Sequence, residues 1–269
     1  MPIQTQHQAQ ARRRRGLTLT ELLIAGTIMT LIVGGMGTLV NTVHSTNDFC
    51  RGQAVAAQHA RVAMDRIQRA VRSAAANEQF PGCVVVADED GSWNFPDTLV
   101  VWSPTAAAPD TDNVPQVNEL LIFCSDATNP NVLIELRAPG NTNPAPAAAD
   151  QAGWQALVDG LKLSTSSDKV ELSDRLRTAS VSDGAGGTLR GCVRFHLLIA
   201  PSLAEWDDNG LTWNQLSWPL DFYSTQTGMR RVVCQYELQL LPGDSDASQT
   251  ALPFFGSAAL TYNLSKKLR

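Results

Sequence analysis

Glu21 stands alone at the head of an uncharged run from Leu22 to Val40. A charge at the centre of a membrane helix costs roughly 2.5–3.5 kcal/mol, and less near the interface. A carboxylate placed there needs a cation, so the chemistry these residues support is ion pairing in a low dielectric. Elsewhere the chemistry-bearing residues are scattered. His7, His44, His59 and His196 lie far apart, and no G-x-S-x-G, H-E-x-x-H or P-loop pattern occurs. The chain therefore does not read as an enzyme. Acidic turns at Asp88-Glu89-Asp90-Gly91, Asp110-Thr111-Asp112-Asn113 and Asp207-Asp208-Asn209-Gly210 offer oxygen ligands. None completes the calcium loop that ends in a bidentate glutamate. Solvated turns and no cofactor are the expectation, with calcium the one ion to consider.

Five cysteines, Cys50, Cys83, Cys124, Cys192 and Cys234, show no C-x-x-C spacing, which argues against zinc. Disulfides among Cys83, Cys124, Cys192 and Cys234 are possible outside the cytoplasm. Three pairings exist for four cysteines, and the spacing does not choose among them. Parity disfavours a direct Cys192–Cys234 bridge. Cys192 sides with Arg194 and His196, Cys234 with Val232, Tyr236 and Leu238, so the two fall on opposite faces if both apolar faces share a core.

The element that must position Glu21 is a membrane helix. The nineteen residues from Leu22 to Val40 carry no charge and span roughly 28 Å as helix, about the thickness of a bilayer core. Arg12, Arg13, Arg14 and Arg15 precede it, and the positive-inside rule holds them in the cytoplasm, with everything after Val43 outside. Asn41 to Asn47 offers no small-x-small site of the kind that ends a secretory signal. The formal net charge is -5, and the first sixteen residues hold four arginines and no acid, leaving -9 beyond them. Nothing in so acidic a chain suggests a nucleic-acid binder, which would show a basic stripe. Gly34, Gly35 and Gly37 interrupt the apolar run. They fit either close helix packing or a segment soft enough to bend.

Gly16-Leu17-Thr18-Leu19-Thr20-Glu21, with the arginines before it and the apolar run after it, resembles the type IV prepilin (class III) signal. The resemblance implies that a prepilin peptidase cuts between Gly16 and Leu17 and methylates the new amine of Leu17. It implies that Glu21 neutralises the N-terminal amine of a neighbouring subunit during assembly. Leu17 departs from the usual phenylalanine. The partners implied are the peptidase, other pilins or pseudopilins, the inner-membrane assembly platform and membrane lipid. The protein would sit in the inner membrane as a single-pass chain with its C-terminal domain outside, and later in a pilus or a type II secretion pseudopilus. Ala60 to Arg72 and Arg230-Arg231-Val232-Val233-Cys234-Gln235-Tyr236 are similar to J-type minor pseudopilins and W-type minor pilins. The K-type tip subunit typically lacks the glutamate that Glu21 supplies. The alternative is a stand-alone anchored protein whose outer domain binds a ligand by itself.

The organisation expected is a leader over 1–16, a long helix over 17–76 that is transmembrane over about 17–43, and a β-rich domain over 77–269. Val55, Val62, Ala63, Ile67, Ala70, Val71 and Ala74 recur at three- and four-residue steps, which predicts one buried stripe. Val84–Ala87, Thr98–Trp102, Glu119–Cys124, Val132–Leu136, Cys192–Ala200 and Val232–Leu241 read as strands. Asn141 to Asp150 reads as a loop, Asp183-Gly184-Ala185-Gly186-Gly187 as a turn. The aromatic stretch Trp206, Trp213, Trp218, Phe222 and Tyr223 fits core filling or a partner-facing patch. Short connections between strands favour antiparallel pairing. The fold class is α+β, a long N-terminal helix packed on an antiparallel sheet.

Overall fold

The computed structural model describes residues 17–90, 93–104, 114–181, 187–202, 204–205, 228–243 and 250–264. The chain divides into two compact units, Met1–Phe49 and Cys50–Arg269. Helix α1 (Leu19–Arg72) contributes to both. In the first unit every described side chain is exposed, and α1 is long and apolar enough to cross a membrane.

In the second unit α1 changes character. Ala56, Ala60, Ala63, Ile67, Ala70 and Val71 are buried, at steps of four and three that keep them on one face. Ala63, Ile67, Ala70 and Val71 of the expected stripe are buried, with Ala56 and Ala60 joining them. Val62 is 54 % exposed, and Val55 and Ala74 are only half-buried; four alanines with Ile67 and Val71 make the inner face. An alanine face lets a helix axis approach its neighbours closely. Tyr236 accordingly donates its hydroxyl to the backbone carbonyl of Met64 at 3.3 Å. A Cβ added to Gly52 would lie 2.2 Å from the Pro242 carbonyl oxygen. The helix also ends at Arg72 rather than near Ala76. Ala74 to Ala76 are helix formers, but the Ala75 amide donates to the Trp102 carbonyl at 2.9 Å. Pairing with the sheet overrides propensity there.

Among the described residues ten strands follow, all antiparallel in their pairings. β1 (Cys83–Asp90), β2 (Trp93–Trp102), β3 (Leu120–Ser125), β4 (Leu133–Arg137) and β5 (Asp168–Ser173) form a five-stranded sheet in sequence order. β6 (Thr178–Val181) and β7 (Thr188–Gly191) make a hairpin. β8 (Val193–Ala200), β9 (Gly228–Leu240) and β10 (Leu252–Leu264) form a second sheet in the order β10-β9-β8. The fold is α+β with the long helix packed on antiparallel sheets, as the sequence leads one to expect.

A second helix, α2 (Gln151–Leu163), was not legible as one. Asp150 caps it, accepting from the Gly153 amide at 3.0 Å. Trp154, Val158 and Leu161 are its buried face, an i, i+4, i+7 signal diluted by Gly153 and Gly160. α2 explains why β3 is buried along its whole length. Leu121 and Phe123 enter one core with the alanine face of α1. Leu120, Ile122 and Cys124 enter another with Trp154, Val158 and Leu161 of α2. A sheet covered on both faces loses the polar-apolar alternation that marks a half-exposed strand.

The cysteines follow from these layers. All five are free thiols, so the possible disulfides among Cys83, Cys124, Cys192 and Cys234 are corrected. Cys83 and Cys234 lie in the α1 core and Cys124 in the α2 core. Cys192 is half-buried just outside β8. Burial pushes the Cys124 and Cys234 thiols up to about 12 and Cys83 well above its usual range, with Cys234 adding to it. Thiols held neutral in this way act as small apolar side chains, not nucleophiles.

Candidate functional site at the head of the long helix

Leu17 is 73 % exposed and precedes a tight polar knot. The Thr18 amide and hydroxyl both donate to Glu21 Oε2, each at 2.9 Å. The Glu21 amide donates back to the Thr18 hydroxyl at 3.3 Å. This is a capping box, T-x-x-E, in which two side chains satisfy amides that a helix start leaves unpaired. A carboxylate in the first turn also meets the positive end of the helix dipole. The T-x-x-E spacing of Thr18 and Glu21 carries this signal in the sequence. Arg12, Arg13, Arg14, Arg15 and Gly16 lie outside the described residues.

Beyond the knot the helix is built for an apolar surround. Its hydroxyls turn back onto its own carbonyls. Thr27 donates to Leu23 at 2.9 Å, Thr30 to Gly26 at 3.0 Å, Thr38 to Gly35 at 2.8 Å and Thr42 to Thr38 at 2.9 Å. No hydroxyl among these four needs water, which is what lipid requires. Gly26, Gly34, Gly35 and Gly37 face open space, with nothing within 4 Å of a Cβ built on each.

The other sequence candidates come apart. Asp88 binds Arg190 at 2.5 Å and accepts from Gln155 at 2.9 Å; Gly91 of its turn lies outside the described residues. Arg190 also faces Asp97 at 3.7 Å and stacks over the Phe95 ring at 4.8 Å. Burial pushes the Asp97 carboxyl up; Lys162, a hydrogen bond from Thr98 and Arg190 oppose it, and Asp88 adds to it. The cluster ties the β6–β7 hairpin to β1 and β2. His196 is exposed on β8, and His59 lies 3.6 Å from Asp174. Among the described residues, no three His, Cys, Asp or Glu side chains gather as metal ligands. The turns at Asp110 to Asn113 and Asp207 to Gly210, and the stretch Trp206, Trp213, Trp218, Phe222 and Tyr223, lie outside the described residues.

One buried ion pair escaped the sequence. Glu135 on β4 is 4 % exposed and takes a two-pronged contact from Arg66 of α1, with Arg66 Nη2 to Oε1 at 2.6 Å. Arg137 adds a contact at 3.5 Å. Burial pushes the Glu135 carboxyl up, but hydrogen bonds and charge from Arg66, then Arg137, outweigh it and hold the carboxyl below its usual range. In sequence Arg66 looked like one more solvated arginine among Arg61, Arg69 and Arg72.

Compared with models of known families, with curated proteins and with solved structures, the chain matches none.

Proposed function

We propose that the protein is a pilin-like subunit, in all a minor pilin or pseudopilin, that is cleaved between Gly16 and Leu17, methylated on Leu17 and assembled through Glu21 into a type IV pilus or type II secretion pseudopilus. The observation that carries this reading is the junction itself: Arg12-Arg13-Arg14-Arg15-Gly16-Leu17-Thr18-Leu19-Thr20-Glu21 leading into an apolar stretch of helix that is exposed throughout. In it, a chain lies in the inner membrane until neighbouring subunits replace lipid around the same apolar surface. Its partners are the prepilin peptidase, sibling pilins and the assembly platform. Nothing in this role requires catalysis by the chain. The test is the mass of the N-terminal peptide of membrane-extracted protein. A peptide beginning at methylated Leu17 is expected, and an intact leader overturns the reading.

The capping box favours a second reading, in which Glu21 only starts its own helix and the chain is a plain anchor. Glu21→Gln separates the two. Glutamine serves a capping box about as well as glutamate, but it cannot neutralise a neighbour's ammonium. In the subunit reading the variant is cleaved, inserted and left unassembled in the membrane. Full complementation of a deletion by Glu21→Gln leaves the anchor reading standing.

A further inference from the structure

Helices α1 and α2 lie on opposite faces of the five-stranded sheet. Leu121 and Phe123 of β3 enter the core with α1, and Leu120 and Ile122 enter the core with α2. Each helix turns its other side to solvent, and the two outer sides differ in charge. On α1, Arg51, Arg61, Asp65, Arg69 and Arg72 are all exposed, at spacings that return to the side opposite the buried alanines. Asp65 is taken up by Arg69 along the helix. Among the described residues no ion pair holds Arg51, Arg61 or Arg72, so this side is basic.

The α2 side is acidic. Asp150 and Asp159 are exposed on it. Glu171 of β5 stands opposite Ile134, on the same face of the sheet, and is exposed as well. Of the two lysines nearby, Lys169 binds Asp126 and the Lys162 carbonyl, and Lys162 is half-buried. A groove of about 590 Å³ runs beside α2, lined by Ala156, Gly160 and the turn from Asn141 to Asn143, with no charged side chain in its walls. Each side leaves a large apolar residue bare, Val62 on α1 and Leu163, 76 % exposed, on α2.

We infer that the α1 side of one copy docks on the α2 side of a second copy of this chain, arginines against carboxylates, with Val62 and Leu163 covered at the contact. Charge selects this pairing. α1 on α1 sets arginine against arginine, and α2 on α2 sets carboxylate against carboxylate, juxtapositions that suppress a contact. The two sides lie on opposite faces of one sheet, so the contact is heterologous. Each copy keeps one side free for a further copy, and the row stays open unless its rotation closes it. Front-to-back copies also send α1 into one bilayer in the same direction. The inference stands whether or not the leader is cleaved, so it holds or fails apart from the pilin reading.

The test uses the full chain in its membrane. Gln58→Cys and Ala156→Cys, both at exposed positions, are combined with Cys50→Ser, since Cys50 is the exposed native thiol. A short bismaleimide should then give a ladder at multiples of the chain's mass. Either new cysteine alone should give no product. Arg61→Glu with Arg72→Glu, and separately Asp159→Lys with Glu171→Lys, should each lower the ladder at least about tenfold. Joined in one chain, the two reversals should restore it. All four positions are exposed, and each variant is checked for an unchanged thermal transition. No ladder, a doubled product from one cysteine alone, or adducts to other proteins only overturns the inference. So does a ladder indifferent to both reversals, or one that the joined reversals fail to restore.

Discussion

The two halves of α1 are both rich in apolar residues, yet they bury nothing in common. From Leu19 to Phe49 the large side chains Leu, Ile, Val and Met face outward, as at Ile28, which is 52 % exposed. From Cys50 to Arg72 Val62 stays outside while four alanines, Ile67 and Val71 go in. Hydrophobicity therefore carries different information in each half. In the first it names a solvent, because an all-round apolar helix is stable only among lipid or other such helices. In the second it names a distance, because what matters is how near a backbone can come to two sheets.

The same substitution in the two halves should break different things. Ile67→Asp places an unpaired carboxylate among buried residues, and its cost of several kcal/mol is comparable to a total domain stability of about 5–15 kcal/mol. The outer domain should lose its cooperative thermal transition while the chain stays membrane-bound. Ile28→Asp should leave that transition unchanged and weaken insertion by roughly 2.5–3.5 kcal/mol, read as chain released by mild extraction. A melt altered equally by both would show that the halves do not divide the work. Removal of the helix altogether gives the same contrast: a chain beginning at Thr46 should fold, and one beginning at Asn77 should aggregate.

An intermediate effect is expected at the Arg66–Glu135 pair. Arg66→Ala leaves the Glu135 carboxylate buried with only the weaker Arg137 contact. The loss should be about 3 kcal/mol at neutral pH, the low end for a broken buried pair because Arg66 keeps some solvent. The sign of its pH dependence is fixed. Glu135 has a folded pKa below its unfolded value, so the pair stabilises above roughly pH 4.3 and that contribution fades as pH falls through the lower folded value. Denaturant melts of wild type and variant should converge in acid. A gap that persists unchanged at low pH would mean Arg66 acts by packing alone.

Much of this architecture was legible in the sequence, for reasons that differ by residue. The membrane half needed only an absence of charge. The six strands from Val84 to Leu241 were found because β-branched and aromatic runs end at turn residues. α2 was hidden because Gly153 and Gly160 dilute its apolar period, and β10 because small and polar residues occupy an edge that β-branched ones usually mark. At the candidate site, Glu21 was conspicuous and Thr18 was not, since a capping residue is ordinary until its hydrogen bonds are seen. The apolar period on α1 placed Ala63, Ile67, Ala70 and Val71 inside correctly but not Val62, because hydrophobicity ranks valine above alanine and cannot see that Ala56 and Ala60 sit where the helix comes close to the sheets. Close approach, not hydropathy, decides those positions.

That selection is the finest point on which the comparison can be sharpened. Val62→Ser changes an exposed position on α1 and should shift stability by no more than about 0.5 kcal/mol. Ala63→Val, one residue on, adds two methyl groups to a face that is 0 % exposed, and overpacking there should cost about 1–3 kcal/mol. By hydropathy alone the order would be reversed, since the first change removes apolar surface and the second adds it. Both variants keep the membrane half intact, so a difference in their denaturation midpoints reports the packing of Cys50 to Arg72 alone. Equal midpoints would return Val62 to the buried stripe and undo the distinction between a helix that is merely apolar and one that is small where it must be close.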